Sequence, residues 1–347
     1  MRLTLLLLAL AALAQAQPAQ PPQPPLLACG MHGDSEVICG TRSPEDLEVA
    51  PDGKHLIVSE FVRGGTGGSF SLFDPAKKTF ARIAITAEPL KDWGDAACPG
   101  PPGDMIAPHG ISLSKRAGGK MQLYVVNHAG RETIEMYEVK QAQGTLSLVW
   151  HGCVVSMKDF NDVAALANGG FFGTHPTALR TQGQDLFSGA PSGYVSSWMP
   201  GKGEAELTGT RQGYPNGVIA SPDGRTLYFN AWTAKEVHKY DVEAGKESGM
   251  VKLDFMPDNL TWTKKGHMLA AGVKGTRGDC PSGSGTPCIQ AFGVAEIDPA
   301  TMKAETVFDS QGKGALIAGV SVAVQMGDSI YIGSFQGDRL VKIHWKK

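Results

Sequence analysis

Long apolar runs, aromatic side chains and an excess of charge of one sign are all scarce in this chain of 347 residues. The formal net charge is −2, so the sequence has no basic face of the kind that binds nucleic acid. The apolar run at residues 3–13 is too short to span a bilayer, and no later segment is a candidate. Aromatic residues make up only 7%, against 44 glycines and 22 prolines, a balance that predicts many turns between short strands.

Several catalytic and binding motifs are also absent. The sequence contains no GxSxG nucleophile elbow, no HExxH pair and no P-loop. No CxxC pair occurs, which argues against a zinc or thiol-redox centre. If the protein is a hydrolase, its nucleophile is therefore expected to be water rather than a side chain.

The N-terminal segment predicts export. Arg2 precedes the apolar run, and Ala14-Gln15-Ala16 has the small-x-small pattern of a cleavage site, so residues 1–16 are expected to be a signal peptide. The proline-rich residues 17–28 are expected to be a linker, and residues 29–347 the folded domain. We therefore expect a periplasmic or extracellular protein.

The cysteines agree with that compartment. Six cysteines in an exported chain suggest disulfide bonds. Short intervening loops favour the pairs Cys29–Cys39 and Cys280–Cys288, which leaves Cys98 with Cys153. The sequence alone does not determine this connectivity.

A pattern of strand, turn and strand returns along the chain, with turns such as Pro51-Asp52-Gly53 and Pro222-Asp223-Gly224. Four antiparallel strands repeating every 40–60 residues or so are typical of a propeller blade. The sequence therefore predicts an all-β, six-bladed β-propeller with four-stranded antiparallel blades. Its units begin near Glu45, His109, Asn161, Asn216, Asp258 and Val320.

The sixth unit is short, so residues 29–42 are expected to complete its sheet. Residues 177–193, rich in glycine and serine, are expected to form a long loop or a short helix over one face. A two-domain sandwich is the competing architecture, but it does not explain why polar residues return so regularly before the strands.

Polar pairs stand directly before an apolar run in five units: Glu45-Asp46, His109-Gly110, Asn161-Asp162, Asn216-Gly217 and Asp258-Asn259. The equivalent ends of the inner strands of a propeller converge on its channel, and calcium takes six to eight oxygen ligands of these types. Asn and Asp also make turns before strands, which explains any single pair as well. Asn259 fits a glycosylation sequon too, a role that excludes metal binding. Five pairs in register favour a hard-metal site in the channel.

Two histidines differ from the other seven in their placement. His109 begins a predicted strand, and His128 ends the strand expected to pair with it. A hairpin between them can bring both rings to one mouth of the channel. One imidazole can then deprotonate water while the second orients it or relays the proton. A structural role is the usual alternative for a single histidine, but the pairing favours a functional one.

At these residues the chain resembles the paraoxonase/arylesterase family of calcium-dependent lactonases, which are six-bladed propellers related to the gluconolactonase and regucalcin type. The resemblance covers most of the chain after the linker. The motifs that carry it, in family order, are Glu45-Asp46-Leu47-Glu48, Pro108-His109-Gly110-Ile111-Ser112, Val125-Val126-Asn127-His128, Asn161-Asp162, Phe172-Gly173-Thr174, Asn216-Gly217 and Asp258-Asn259.

The resemblance implies two calcium ions and a role for each residue. By this resemblance, the ligands of a catalytic calcium are Glu45, Asn161, Asn216, Asp258 and Asn259. Asp46, Asp162 and the backbone carbonyl of Ile111 match the ligands of a structural calcium, and His109 and His128 match the proposed base and relay. The implied activity is hydrolysis of lactones or aryl esters. A gluconolactonase-like hydrolase of sugar lactones and a non-catalytic ligand-binding propeller are the alternatives.

The sequence also departs from the family pattern. Lys274 stands where the family often has a histidine near its site, and the family's long-range disulfide to the C-terminus is missing. Phe61, Arg63 and Tyr214 replace other pocket residues. These departures leave the substrate open, and the sequence does not indicate an oligomeric state.

Overall fold

The computed structural model describes residues 25–62, 67–142, 145–275, 288–311 and 315–345. Within these ranges the chain forms 26 strands in six sheets, and its only helical element is the 3-10 turn Leu186–Ser188. None of these elements is a helix long and apolar enough to cross a membrane. The prediction of a six-bladed β-propeller is confirmed.

Each blade runs antiparallel from an inner to an outer strand. Blade one contains β3 (Pro44–Val49), β4 (Leu56–Glu60), β5 (Ser69–Asp74) and β6 (Thr79–Arg82). Blade two contains β8 (Pro108–Lys115), β9 (Met121–Asn127), β10 (Thr133–Ala142) and β11 (Thr145–Val155). Blade three contains β12 (Val163–Ala165), β13 (Phe171–His175), β14 (Tyr194–Met199) and β15 (Gly203–Glu206).

Blade four contains β16 (Pro215–Ala220), β17 (Thr226–Ala231), β18 (Glu236–Asp241) and β19 (Lys246–Lys252). Blade five contains β20 (Met256–Trp262), β21 (Met268–Val273), β22 (Phe292–Asp298) and β23 (Lys303–Asp309). Blade six contains β24 (Val320–Met326), β25 (Ser329–Ser334) and β26 (Arg339–His344), and two strands from the start of the chain complete it, β1 (Gly30–His32) and β2 (Ser35–Cys39).

The N-terminal strands close the ring, as the sequence predicted. Strand β2 pairs antiparallel with β26, with Val37 opposite Val341. Two sheets have five strands rather than the expected four, because β1 extends blade six and β7 (Ala84–Ala87) pairs parallel to β11 in blade two. The ring is therefore closed by main-chain hydrogen bonds between the two ends of the described chain.

The turns form where proline, aspartate and glycine predicted them. In the β3–β4 hairpin, Gly53 has φ 67°, a region that favours glycine, and its amide donates to the carbonyl of Ala50. The hydrophobic core lies between neighbouring blades. Leu47, Val58 and Leu340, for example, pack together with no exposed surface where blades six and one meet. The blades are thus held face to face around a central channel.

Two disulfide bonds join the predicted pairs Cys29–Cys39 and Cys98–Cys153. Cys288 is also disulfide-bonded, and its expected partner Cys280 lies outside the described residues. Residues 177–193 form a long connection between β13 and β14 that contains the 3-10 turn. Asp185 caps this turn by accepting a hydrogen bond from the amide of Phe187.

Candidate active site

The polar pairs lie where the inner strands begin, and the strands are irregular there. Pairing shifts register after Pro44 in β3, Pro108 in β8, Pro215 in β16 and Pro257 in β20. Such β-bulges interrupt the alternation of side chains and re-aim them, often beside active sites. Proline cannot donate to the ladder and so suits the first position of such a strand. The proline before four of the five pairs is therefore a sequence signal for these bulges.

The polar pairs converge although they are distant in sequence. Asn259 of blade five donates from Nδ2 to Glu45 Oε1 of blade one at 3.0 Å, across 214 residues of chain. Ser321 of blade six donates to the Glu45 carbonyl. Of the polar side chains in the pairs, His109 alone is partly exposed. The others are buried: Glu45, Asp46, Asn161, Asp162, Asn216, Asp258 and Asn259. Because Asn259 is 1% exposed, a glycan on it is incompatible with this fold.

Several oxygens in this cluster are buried without a hydrogen-bond donor. They are Glu45 Oε2, Asn216 Oδ1 and Asn259 Oδ1. A buried polar atom left unpaired costs about 1–3 kcal/mol, and carboxylate and amide oxygens are the ligands that calcium takes. No three His, Cys, Asp or Glu side chains among the described residues form a metal-binding group. The cluster instead mixes carboxylates with amides, and its unpaired oxygens fit a hard cation.

The buried carboxylates also repel one another. Burial raises the pKa of Glu45 well above its ordinary value, and the charges of Asp46, Asp258 and Asp162 raise it further. Burial raises the pKa of Asp46 to about 7, against hydrogen bonds from the amides of Ile111 and Leu47 that lower it. The pKa of Asp162 is raised by burial and then by the Asp46 charge. A bound cation would relieve this accumulation of negative charge.

Asp46 and Asp162 each connect their own inner strand to that of the next blade. Asp46 accepts from the amide of Leu47 through Oδ1 and from that of Ile111 through Oδ2, both at 2.8 Å. Asp162 repeats this pattern with Val163 and Val218, both at 2.7 Å. In the structure, the amide of Ile111 thus donates to Asp46. Binding of a metal by the Ile111 carbonyl stays a prediction.

The glycine in two of the pairs allows neighbouring strands to approach closely. A Cβ on Gly110 would lie 2.2 Å from Asp162 Oδ1, and a Cβ on Gly217 would lie 2.4 Å from the Asp258 carbonyl oxygen. Contacts this short are not possible for a real side chain, so only glycine fits at these positions.

The two predicted histidines meet beside the cluster. His128 Nε2 lies 3.1 Å from His109 Nδ1, and His109 Nε2 lies 3.6 Å from Glu45 Oε1. Phe61 stacks on the His109 ring with centroids 4.6 Å apart. On the outer side, His128 Nδ1 lies 2.8 and 2.9 Å from the two carboxylate oxygens of Glu132. The histidine pair therefore connects a buried carboxylate to a partly exposed one.

Sequence reasoning missed Glu132, Ser321 and Asn230. Asn230 is fully buried, donates to the Asp258 carbonyl at 2.6 Å and has an unpaired Oδ1. It lies in β17 opposite the bulge at Asn216. The only sequence signal for Glu132 is its position four residues after His128. Asn230 has no sequence signal, because it is a single Asn near the end of a strand.

Three positions that depart from the family pattern flank strands at the end of the ring where the polar pairs lie: Phe61 follows β4, Tyr214 precedes β16 and Lys274 follows β21. Tyr214 has φ 56°, strained for a bulky residue, and its ring lies 5.2 Å from that of Trp232. Lys274 forms ion pairs with Asp254 and Asp309. Arg63 lies outside the described residues.

A separate cavity of about 650 Å³ occupies the other end of the channel. Its walls include Asp46, Asp162 and Glu48, but neither Glu45 nor His109. The two groups of predicted ligands thus face different ends of the channel: Glu45 lies beside the histidine pair, and Asp46 and Asp162 line the far cavity.

Comparison with known proteins gives consistent matches. The family model described as Arylesterase matches residues 96–340. Human serum paraoxonase/arylesterase 1 is 26% identical over 226 residues, which span 62% of this chain and 62% of that protein. Human serum paraoxonase/lactonase 3 is 25% identical over 167 residues, 46% of each chain. These alignments therefore span less than two thirds of the relatives' length.

Solved structures share the architecture. A gluconolactonase from Xanthomonas campestris superposes with a TM-score of 0.51 at 17% identity, covering 95% of this chain and 99% of that one. A luciferin-regenerating enzyme superposes with a TM-score of 0.51 at 13% identity, covering 89% and 95%. At these identities the likeness shows a common fold.

Proposed function

Because the chain belongs to the arylesterase family, we propose that it is a calcium-dependent hydrolase of lactones or aryl esters. The observation that carries this proposal is the set of three buried, unpaired oxygens beside the histidine pair, on Glu45, Asn216 and Asn259. Unpaired acceptors suit a cation, and an adjacent imidazole suits the activation of water.

The residues of the cluster would hold the ions as follows. Glu45, Asn161, Asn216, Asp258 and Asn259 would bind the catalytic calcium. Asp46, Asp162 and the Ile111 carbonyl would bind a second, structural one. When bound, the first calcium polarises the substrate carbonyl and stabilises negative charge on its oxygen.

The histidine pair activates the nucleophile. His109 takes one proton from water at Nε2, the nitrogen nearer Glu45, and the water oxygen forms the new bond to the carbonyl carbon. The same proton is later returned to the alkoxide or phenoxide oxygen when its bond to the carbonyl carbon breaks. His128 shares the charge through its contact with His109 Nδ1, and the stacked ring of Phe61 keeps His109 oriented.

We also propose that the protein is exported. Two disulfide bonds among the described residues support an oxidising compartment. Expression with and without residues 1–16, followed by fractionation, tests this. Retention of the full-length protein in the cytoplasm contradicts it.

The activity is tested with a substrate panel of acyl lactones, aryl esters and sugar lactones. We expect the calcium-loaded protein to hydrolyse acyl lactones or aryl esters, and we expect Glu45→Gln to lose both calcium affinity and turnover. Glu243→Gln, an exposed change on the far edge of blade four, is the matched control. Turnover of sugar lactones alone indicates a gluconolactonase instead. Calcium-dependent stability without any turnover indicates a non-catalytic propeller.

A further inference from the structure

Glu132 lies in the turn between β9 and β10, four residues after His128. The backbone of this turn is held at several points. The amide of Ser156 donates to the Glu132 carbonyl at 3.0 Å, and the amide of His128 donates to the Ala107 carbonyl at 3.3 Å. Asn127 Oδ1 accepts from the amide of Ala129 at 3.2 Å. The carboxylate is therefore brought to His128 by an anchored turn.

The hydrogen bonds determine where the ring protons lie. An ionised carboxylate only accepts, so the contact with Glu132 places the proton of a neutral His128 on Nδ1. Its Nε2 is then an acceptor, and the donor across the 3.1 Å contact is His109 Nδ1. His109 in turn has no proton on Nε2, the nitrogen that lies 3.6 Å from Glu45. Glu45 Oε1, at 3.6 Å from His109 Nε2, is beyond hydrogen-bond distance, whereas Glu132 contacts His128 at 2.8 Å and so gives the chain of hydrogen bonds its direction.

We infer that Glu132 is a positioning residue that acts through His128 to keep His109 Nε2 unprotonated and ready to act as the base. This inference rests on the function proposed above. Without the carboxylate, His128 can carry its proton on Nε2 and donate to His109 Nδ1. His109 would then carry its proton on Nε2 and could not accept one from water.

The same geometry stabilises the protonated pair. When His109 Nε2 takes a proton from water, its Nδ1 proton can pass to His128 Nε2. The positive charge then lies on the ring that contacts the Glu132 carboxylate. The Glu132 side chain is 33% exposed, against 14% for His109, so the outer end of the chain is the one nearer to solvent.

The test compares Glu132→Gln with the wild type in the calcium-loaded full chain. A glutamine can present either its oxygen or its NH₂ group to His128 Nδ1, so it no longer selects one tautomer. We expect kcat for an aryl ester or lactone to fall about 10- to 100-fold, as for other groups that orient a site ligand, with little change in KM. Ring ¹⁵N NMR is expected to show the Nδ1–H tautomer of both histidines in the wild type and a mixture in the variant.

Two further variants complete the test. Asp104→Asn removes an exposed carboxylate from the neighbouring loop and is expected to change neither readout. Glu132→Asp retains a carboxylate and is expected to keep the tautomers, with kcat between wild type and Glu132→Gln. It also serves if Glu132→Gln does not fold.

The NMR readout separates this inference from the proposed function. Wild-type rings in the opposite tautomer, or tautomers unchanged in Glu132→Gln, overturn the positioning role even if kcat falls. If the tautomers behave as expected but no ester or lactone is hydrolysed by the wild type, the positioning role is supported and the proposed function fails.

Discussion

In protein without bound calcium, the free energy of unfolding should fall as the pH rises from 5 to 8. The pKa of Asp46 is raised from 3.8 to about 7, chiefly by burial. A carboxyl group whose pKa is raised on folding stabilises the fold below its unfolded pKa, and this contribution is lost as the pH rises through the folded pKa. At 1.36 kcal/mol per pKa unit, the loss for Asp46 is about 4 kcal/mol in total, of which about 2 kcal/mol falls between pH 5 and pH 7. Glu45 and Asp162 are shifted in the same direction and add to this loss.

The assay is urea unfolding of metal-depleted protein at steps between pH 5 and pH 8. Carboxylates with lowered pKa values, such as Asp52 and Glu138, change stability mainly below pH 5, so they do not obscure this window. We expect the free energy of unfolding of the wild type to fall as the pH rises. The fall should be less steep in Asp46→Asn and should have the wild-type slope in Asp52→Asn. Saturating calcium, which favours the ionised form of its carboxylate ligands, is expected to remove their part of the decline. Burial also raises the pKa of Glu48, which is not a predicted ligand, to about 8, so the part due to Glu48 should remain. If the stability of metal-depleted wild type is flat or rises over this range, the pKa of Asp46 is not raised by burial.

Three further predictions concern single sites. His109→Gln should lower kcat about 100-fold or more without unfolding the protein, while His267→Gln, outside the site, should not; equal activities in a lactone assay would exclude His109 as the base. Gly110→Ala places a Cβ 2.2 Å from Asp162 Oδ1 and should cost about 1–3 kcal/mol of stability and weaken calcium binding. Gly249→Ala, on the edge strand β19, is the milder control, because its Cβ would lie 3.1 Å from the flexible Met302 side chain. Similar melting temperatures for the two variants would contradict the close approach at Gly110. Replacing both Cys98 and Cys153 by alanine opens a loop with a sequence separation of 55 and should cost about 4 kcal/mol in urea unfolding, and a loss below about 1 kcal/mol would show that the bond constrains little.

The blade architecture could be predicted from sequence because it depends on local signals. A glycine-containing turn, such as Pro51-Asp52-Gly53, joins the first two strands of every unit, and each repeat forms one blade. The addition of β2 to blade six could also be predicted, because the last unit is short by itself. The pairing of β7 with β11 could not, since a short exposed edge strand has no apolar pattern of its own.

The convergence of the polar pairs follows from the fold, but their detailed contacts do not. His109 and His128 could be paired because one hairpin connects them. The contact of Asn259 with Glu45 joins blades five and one. The amides of Ile111 and Val218, which donate to Asp46 and Asp162, belong to neighbouring blades. Such contacts depend on β-bulges and on the packing of blades. Residues that act through these contacts, such as Asn230, were therefore missed.

In the proposed mechanism, calcium bound by the polar cluster acts on the substrate together with the histidine pair. The most direct measurement is lactone and aryl-ester turnover as calcium is titrated into metal-depleted protein, with bound calcium measured in parallel. We expect no turnover in the depleted protein, recovery of turnover in proportion to calcium occupancy, and two ions bound at saturation. Undiminished turnover in protein shown to contain no calcium would contradict it.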